Sequence, residues 1–285
     1  MYRIGLSSCS KEMNEELFAG FQRAGITAME ISQKLEDCEA CDLEQVKKWA
    51  DQYDVELWSY HLPFAPFEVI DISSLDESLR TSSVALLSKF IHKAGKVGIK
   101  KFIVHPSGEP NPDEERKARM AQAKKSLSEL ADTADRYGAV ICAEDLPRTC
   151  LGNCAADMLE LTKDDPRIQI VFDTNHLLGD VDIPAFIRAC GDKIVTLHVS
   201  DYDFVNERHW MPGEGKIDWP ALYGALQEVG YNGVWLYEIG YECPTSIIRD
   251  RDLTAEDFVR NAQEIFEGRK LTVIGKQKEN LGFWG

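Results

Sequence analysis

Four apolar runs in the second half of the chain each end in a side chain that can bind a metal ion. The runs are Val-Ile-Cys-Ala-Glu144, Ile-Val-Phe-Asp173, Ile-Val-Thr-Leu-His198 and Val-Trp-Leu-Tyr-Glu238. Buried strands of a parallel sheet have such continuous Val/Ile/Leu-rich sequences, and the C-terminal strand ends of an α/β barrel converge on its active-site face. The pattern therefore predicts one shared site, of a composition that binds a divalent metal.

Strand-like and helix-like segments alternate along the 285 residues. Eight strand-like runs stand at 3–8, 27–32, 55–60, 101–105, 139–144, 168–173, 194–199 and 233–239. Amphipathic stretches separate them, and the clearest, 114–137, repeats apolar residues at the three-to-four spacing of a helix face. Eight strand–helix units predict an α/β fold, a (β/α)₈ TIM barrel, in preference to an open sheet of five or six strands.

No Pro/Gly/Ser-rich linker divides the chain, so we predict a single domain over 1–285, with 271–285 as a C-terminal tail. The longest irregular segments, 61–75 and 199–217, follow strands three and seven, where a barrel keeps its substrate loops. Gly213 and Gly215 are expected to let the second loop fold close over the site. The sequence has neither a G-x-G-x-x-G motif after the first strand nor a P-loop, which removes the usual support for nicotinamide and ATP chemistry.

The formal net charge is −16, from 48 acidic and 32 basic residues. This disfavours a nucleic-acid partner, because phosphate backbones are bound by basic stripes. Eight cysteines are too sparse for a disulfide scaffold, and the N-terminus enters a strand-like run directly, so we expect a cytoplasmic protein. No apolar stretch approaches the ~18–20 residues of a membrane span, and no membrane association is expected.

Five of the six histidines lie at or just beyond predicted strand ends. They are His61, His105, His176, His198 and His209, whereas His92 falls inside a predicted helix and is expected to be a surface or packing residue. A single strand-end histidine is more often structural than a ligand, but five near one rim favour a functional centre.

A simpler interpretation is that four unrelated polar residues mark where strands emerge into water. It does not explain why strands five to eight all end in ligand types, when Ser, Asn, Gly or Lys would serve equally well. Several oxygen ligands with one nitrogen suit Mn²⁺, Mg²⁺ or Co²⁺, and Zn²⁺ with an open position. These residue types therefore predict a divalent metal ion and leave its identity open among these four.

The strand-end segments give the chain a resemblance to the xylose-isomerase-like TIM barrels. That superfamily comprises sugar and sugar-phosphate isomerases and epimerases, together with DNA repair enzymes of the endonuclease IV type. The matching segments are His61-Leu-Pro-Phe, His105-Pro, Ala-Glu144-Asp, Phe-Asp173-Thr-Asn-His176, Leu-His198-Val-Ser-Asp201, His209-Trp-Met-Pro-Gly213-Glu-Gly215 and Tyr-Glu238. Each is short, but in this order they span nearly the whole chain and are specific for the superfamily, less so for the substrate.

The resemblance to the epimerase branch implies that Glu144, Asp173, His198 and Glu238 bind one divalent metal. Glu144 and Glu238 are also expected to be the catalytic acid/base pair, moving a proton next to a carbonyl through a metal-stabilised enediolate. Return of the proton to the opposite face gives epimerisation, and return to the neighbouring carbon gives aldose–ketose isomerisation. The implied partner is a small carbohydrate, and the resemblance suggests a homodimer or homotetramer.

Five further polar residues are expected to bind the substrate: His61, His105, His176, Arg208 and His209. Candidate apolar walls are Trp58, Phe64, Phe67, Trp210 and Trp219. A phosphorylated substrate would need arginines, lysines or helix N-termini on the rim. The candidates for that role are Arg148, Lys216, Arg249 and Arg251.

The main alternative function is hydrolysis of abasic DNA by an endonuclease IV-like zinc phosphodiesterase. Such enzymes bind three zinc ions, and His61, His105, His176 and His209 lie where extra ligands would be needed. Their D-x-H motif reads Glu207-Arg208-His209 here, which puts the third metal in doubt. A metal-dependent dehydratase or lyase on the same scaffold is a further alternative. A non-catalytic binding subunit is disfavoured by the intact Glu144/Glu238 pair.

Overall fold

The computed structural model describes residues 1–279 and 281, and within them eight parallel strands form one sheet. The strands are β1 (Arg3–Ser7), β2 (Ala28–Ser32), β3 (Glu56–His61), β4 (Lys101–Val104), β5 (Val140–Glu144), β6 (Ile168–Asp173), β7 (Ile194–His198) and β8 (Val234–Tyr237). Their order in the sheet is β7-β6-β5-β4-β3-β2-β1-β8. The eight predicted strands are confirmed, with bounds that differ by at most two residues.

The two end strands of this sheet meet and close it into a barrel. Val199, just after β7, forms a parallel bridge with Tyr237 at the end of β8. The backbone N–H of Val199 donates to the carbonyl of Leu236 at 2.8 Å, and the N–H of Glu238 donates to Val199 at 3.2 Å. The predicted single-domain (β/α)₈ TIM barrel is confirmed.

Helices connect the strands and surround the barrel. They are α1 (Glu15–Ala24), α2 (Leu35–Ala40), α3 (Leu43–Gln52), α4 (Glu77–Lys96), α5 (Arg116–Asp135), α6 (Ala155–Thr162), α7 (Ile183–Cys190), α8 (Trp219–Glu228) and α9 (Ala255–Phe266). Helix α5 is the amphipathic stretch predicted at 114–137. Among the described residues, no helix combines the length and apolar character needed to cross a membrane.

The interior of the barrel contains two small buried clusters, separate from the main core between strands and helices. One consists of Ile103, Cys142 and Val171 from adjacent strands. The other consists of Ala28, Val234 and Leu236, with Trp58 packed against it. These apolar residues fill the middle of the barrel, as branched and small side chains do in TIM barrels.

Trp58 closes the end of the barrel at which the strands begin. Its indole Nε1 donates to Oγ1 of Thr196 at 3.0 Å. The Nζ of Lys101 lies 3.3 Å from the ring centroid, and the guanidinium carbon of Arg3 lies 5.3 Å from it. Lys101 and Arg3 each begin their strand, so the expectation that Trp58 is a substrate wall is wrong. It lies at the wrong end because it stands early in β3, three residues before the strand's C-terminus.

The chain returns to the opposite end of the barrel after α9. Strands β9 (Ile247–Ile248) and β10 (Lys276–Gln277) form an antiparallel pair. The carboxylate of Glu214, in the loop after β7, accepts from the N–H of Gly275 at 2.7 Å and from Arg249 at 2.7 Å. The described part of the predicted tail therefore joins the loops that follow β7 and β8, while its last four residues lie outside the described chain.

Candidate metal centre

The four predicted metal ligands meet at the C-terminal end of the barrel. Glu144, Asp173 and His198 are the last residues of their strands, and Glu238 directly follows β8. Their ligand atoms lie within 4.8 Å of one another. Three of the side chains are buried, and Glu238 exposes only 13% of its side chain.

The pleat of the strands explains why these side chains point inward. Alternate residues of a strand share one face, and Glu144 and Asp173 stand two residues after Cys142 and Val171, which fill the barrel interior. Glu238 likewise stands two residues after the interior residue Leu236. The polar site is thus the layer directly above the apolar filling of the barrel.

The imidazole of His198 is held between two sets of carboxylates. Its Nδ1 lies 2.8 Å from Oε1 of Glu144 and 3.4 Å from Oε2 of Glu238. Its Nε2 lies 3.0 Å from the carboxylate of Glu30, which also accepts from the hydroxyl of Ser59 at 2.7 Å. When Nε2 donates to Glu30, the lone pair of Nδ1 faces the shared site, an arrangement typical of metal-binding histidines.

Glu30 was not among the residues predicted from the sequence. It is fully buried and stands two residues after the interior residue Ala28. The signal for it is a single acidic residue inside the apolar run 27–32, which a buried strand tolerates only when the charge has a partner.

Glu144 is surrounded by imidazoles. Its Oε2 lies 3.1 Å from Nε2 of His61 and 3.2 Å from Nε2 of His105. Burial alone would raise the pKa of Glu144, but His198, His105 and His61 together hold it well below its ordinary value. The Glu144 carboxylate is therefore ionised at neutral pH.

Glu238 has the opposite electrostatic environment. Burial, together with the negative charges of Glu144 and Asp173 and against the opposing effect of His198, raises the pKa of its carboxyl to about 7. Two carboxyls of one site thus differ in protonation near neutral pH, which is the usual sign of separate acid and base roles.

The site has the composition and the unmet charge that a divalent cation would satisfy. Oδ2 of Asp173 is buried without a hydrogen-bond partner among the described residues, whereas Oδ1 accepts from the N–H of Asn175 at 2.7 Å. Three buried carboxylates at this separation repel one another unless a cation or protons lie between them. Carboxylate oxygens with one imidazole nitrogen suit Mn²⁺ and similar ions, so the residues fit such an ion.

Two further groups of candidate ligands overlap the first. His61, His105 and Glu144 have ligand atoms within 4.8 Å of one another, as do His61, His198 and Glu238. The second nitrogen of His61, Nδ1, lies 2.9 Å from the carbonyl oxygen of Leu62. All of these ligands surround one centre instead of forming a separate site elsewhere in the described chain.

His176 lies beside Asp173 as a cationic neighbour. Its Nδ1 lies 2.6 Å from the carbonyl oxygen of Asp145, and its Nε2 lies 3.5 Å from Asp173 and 3.4 Å from Glu207. Burial would lower the pKa of His176, but Asp173, Glu144 and Glu207 raise it to about 10. Its ring is therefore protonated at neutral pH and can donate a hydrogen bond.

A cavity of about 550 Å³ opens above these side chains. All five predicted substrate-binding residues line it, namely His61, His105, His176, Arg208 and His209. Phe64 and Phe67 form an apolar wall as expected, and Phe64 stacks on His105 with ring centroids 4.1 Å apart.

Two other predicted aromatic walls belong to the protein interior. Trp210 is fully buried and donates to the hydroxyl of Ser246 at 2.9 Å. Trp219 is buried and donates to Asp201 at 3.0 Å. The expectation that they wall the cavity is wrong, because their indole N–H groups are bonded inside the protein.

Gly213 and Gly215 pack against Asp201 instead of covering the cavity. The N–H of Gly213, which has a φ of +98°, donates to Asp201 at 2.8 Å. A Cβ at Gly215 would collide with the Asp201 carboxylate and with the carbonyl of Tyr202. These glycines let the loop approach Asp201 closely, and Glu207, Arg208 and His209 of the same loop reach the cavity.

The chain is similar in sequence to known sugar isomerases and epimerases. Inosose isomerase of Bacillus velezensis is 27% identical over 228 residues, which are 73% of this chain and 76% of that protein. D-Psicose 3-epimerase of Ruminiclostridium cellulolyticum is 30% identical over 124 residues, 42% of this chain and 41% of the relative.

The fold is also that of a solved structure described as a D-tagatose 3-epimerase-like protein. The TM-score is 0.77 at 24% identity, covering 94% of this chain and 97% of the other. The xylose isomerase-like TIM barrel family matches residues 18–264. The chain therefore belongs to the xylose isomerase-like TIM barrel family.

Proposed function

We propose that the protein is a divalent metal-dependent sugar isomerase or epimerase that moves the proton next to a carbonyl group. One observation carries this proposal: the carboxyls of Glu144 and Glu238 lie 2.8 and 3.4 Å from the imidazole Nδ1 of His198, in surroundings that lower the pKa of the first and raise the pKa of the second. Proton transfer to and from one carbon needs this combination, a group ready to accept and a group ready to donate.

Glu144, Asp173, His198 and Glu238 are the proposed metal ligands. A divalent ion bound there, with Mn²⁺ as the first choice, would stabilise the negative charge that develops on the substrate oxygens. Glu30 holds the imidazole of His198 from behind and fixes which nitrogen faces the site.

The two carboxyls differ in their affinity for a proton. Glu144 is ionised and accepts a proton at its carboxylate, while Glu238, with a pKa raised by burial to about 7, releases or takes one. Their roles exchange in the reverse direction. Delivery to the opposite face of the same carbon gives an epimer, and delivery to the neighbouring carbon gives the isomeric aldose or ketose.

The remaining cavity residues are proposed to orient the sugar. His176, protonated and buried, donates through Nε2 to a substrate oxygen, with His61, His105, Arg208 and His209 as further polar contacts. Phe64 offers an exposed ring beside His105, against which the apolar face of a carbon chain can pack.

A hydrogen-exchange experiment tests this function. The Mn²⁺-loaded protein is incubated in D₂O with D-psicose, D-fructose, D-tagatose and L-ribulose, and deuterium at the carbons next to the carbonyl is followed by NMR. We expect deuterium incorporation with at least one ketose, and its loss on chelation. Asp173→Asn should need much more Mn²⁺ for the same rate, whereas Glu228→Gln, on the outside of α8, should not. Absence of exchange with every ketose contradicts the proposal.

The cluster of His61, His105 and Glu144 is the observation that favours a nuclease with more metal ions. Elemental analysis and an abasic-site DNA cleavage assay separate the two functions. We expect one metal ion per chain and no cleavage. Three zinc ions per chain together with cleavage of abasic DNA would assign the protein to the nuclease branch instead.

A further inference from the structure

The outer part of the cavity should determine which groups a substrate can have beyond its reacting carbons. Resting on the sugar chemistry proposed above, we propose that Glu109 is a specificity-determining residue that makes this cavity reject sugar phosphates and take unphosphorylated ketoses. It acts by occupying the guanidinium group of Arg148.

Arg148 is the one of the four predicted phosphate-binding candidates that lines the cavity in the described chain. Glu109 binds it with two parallel bonds, from Nε at 2.9 Å and from Nη2 at 2.6 Å. Its remaining nitrogen, Nη1, donates to Asn206 at 2.9 Å and lies 3.4 Å from Glu207. A bidentate carboxylate fills the same fork of N–H groups that a phosphate would use.

The backbone holds Arg148 in this arrangement. Its φ of +54° lies in the left-handed region, which costs a non-glycine residue energy and persists only where the surroundings fix it. The side chain of Asn153 donates to the carbonyl of Arg148 at 2.7 Å. The guanidinium is therefore pre-positioned toward Glu109 instead of being free to turn to a ligand.

The other predicted phosphate candidates are committed elsewhere. Arg249 forms a fully buried pair with Glu214, with Nη2 and the carboxylate 2.7 Å apart. Arg251 pairs with Asp257 at 2.6 Å, and Lys216 is exposed outside the cavity lining. Arg208, which does line the cavity, has its Nε bonded to Asp203 at 3.0 Å.

The helix N-termini that bind phosphate in many TIM barrels are here capped by aspartate side chains. Barrel enzymes place phosphate near the loops after strands seven and eight, at a helix N-terminus. Here the side chain of Asp218 caps α8 by accepting from the N–H of Ala221 at 3.0 Å. Asp257 closes α9 in a capping box with Thr254. A phosphate at either helix would meet a carboxylate.

Arg148 lies in the outer part of the cavity, at a distance from the proposed metal ligands. Glu207 contacts both Arg148 and His176, and His176 contacts Asp173 of the proposed metal site. Two side chains therefore separate Arg148 from the proposed ligands. Glu109 and Glu207 both lie beside Arg148, so an added dianion there meets negative charge while an uncharged polyol does not.

The test compares D-fructose with D-fructose 6-phosphate on the intact Mn²⁺-loaded protein, by binding titration and by deuterium exchange. We expect the free ketose to be preferred by about 100-fold in kcat/KM. Glu109→Gln releases Arg148 and should shift the preference at least about tenfold toward the phosphate ester. The double variant Glu109→Gln/Arg148→Met should lose that gain, because the gain depends on the released guanidinium.

Two further variants make the result specific. Glu207→Gln, which removes the weaker partner of Arg148, should shift the preference in the same direction by less. Glu228→Gln breaks an exposed pair with Arg188 on α8, at 2.7 Å, and should change nothing.

A wild-type preference for the phosphate ester, an unchanged preference in Glu109→Gln, or a gain that survives in the double variant overturns the inference. If neither sugar exchanges deuterium, the binding preference still decides the role of Glu109, and the proposed function is decided separately by exchange with the four ketoses named above. Binding of neither sugar overturns the inference about Glu109.

Discussion

The two ends of the barrel are built from the same eight strands and have opposite electrostatic character. At the end where the strands begin, Trp58 lies against the cations of Lys101 and Arg3, and its N–H is bonded to Thr196. At the other end, buried carboxylates crowd around His198, and Oδ2 of Asp173 has no hydrogen-bond partner among the described residues. The polar groups at the first end have partners within the protein, whereas this carboxylate oxygen at the second end has none among the described residues.

This difference suggests that residues at one end of the strands contribute mainly to stability and residues at the other end mainly to function. Residues that fill or close the start of the barrel should affect the free energy of unfolding and leave the chemistry unchanged. Residues at the strand ends should affect the chemistry. Four substitutions test this division.

The largest effect is expected from Glu144→Gln and, separately, Glu238→Gln. Each removes one of the two proton-transfer groups, so the deuterium exchange rate at saturating Mn²⁺ should fall by about 10³-fold or more. Thermal unfolding in the presence of chelator should remain cooperative, because the amide keeps the size of the carboxyl. Exchange within a few fold of wild type in both variants would remove them from the mechanism.

Trp58→Ala is expected to lower stability and to leave the deuterium exchange rate unchanged. It opens a void at the closed end and removes the indole contacts with Lys101 and Arg3, which should lower the free energy of unfolding by about 2–3 kcal/mol. Urea denaturation measures this loss. Exchange per folded molecule should stay near the wild-type value, and a large loss of exchange in a folded protein would contradict the division between the two ends.

A pH effect is expected from Glu238 in the metal-free protein. Burial raises the pKa of Glu238 in the folded state from 4.5 to about 7. Between pH 4.5 and pH 7 the folded chain therefore holds this proton, whereas the unfolded chain has released it. Its contribution is present below pH 4.5 and is lost as the pH rises to 7. Unfolding by urea with chelator at pH 5 and pH 8 should show a wild-type decline that exceeds that of Glu238→Gln by about 2 kcal/mol. Equal declines would refute the assignment.

The smallest effect is expected from Thr196→Val, which keeps the shape of the side chain and removes the acceptor for Trp58. Leaving the indole N–H without its partner should cost about 1 kcal/mol of unfolding free energy. Thr196 stands two residues before His198 on β7, so unchanged exchange would show how sharply the two ends are separated within one strand. The measurement is the denaturation midpoint at constant m-value.

The barrel and its polar layer were predictable because both follow from local patterns. Apolar runs of strand length identify the strands, and period-two alternation carries Glu144 and Asp173 to the interior face once the barrel closes. Glu30 is harder to find, since it stands within its run and its role depends on His198, which is 168 residues away along the chain.

The outer cavity could not be predicted in the same way. Glu109 and Arg148 lie on different loops, and their pairing depends on how those loops fold. The prediction that tryptophans line the cavity was wrong for a related reason. Their residue type suggests contact with a sugar, but the positions of Trp58 along its strand and of Trp210 along its loop place them away from the cavity. Residue type indicates chemistry here, whereas loop conformation decides which side chains reach the cavity.

The buried pair of Glu214 and Arg249 also bears on how a substrate enters. Glu214 accepts from Arg249 and from the N–H groups of Met211 and Gly275, while Gln277 donates to its carbonyl. The loops after β7 and β8 are thus fastened together and should move as one rigid wall, with slow amide exchange. Amide exchange should be faster in the loop after β3, where Phe64 is 41% exposed, so any change in the width of the cavity entrance should come from that loop.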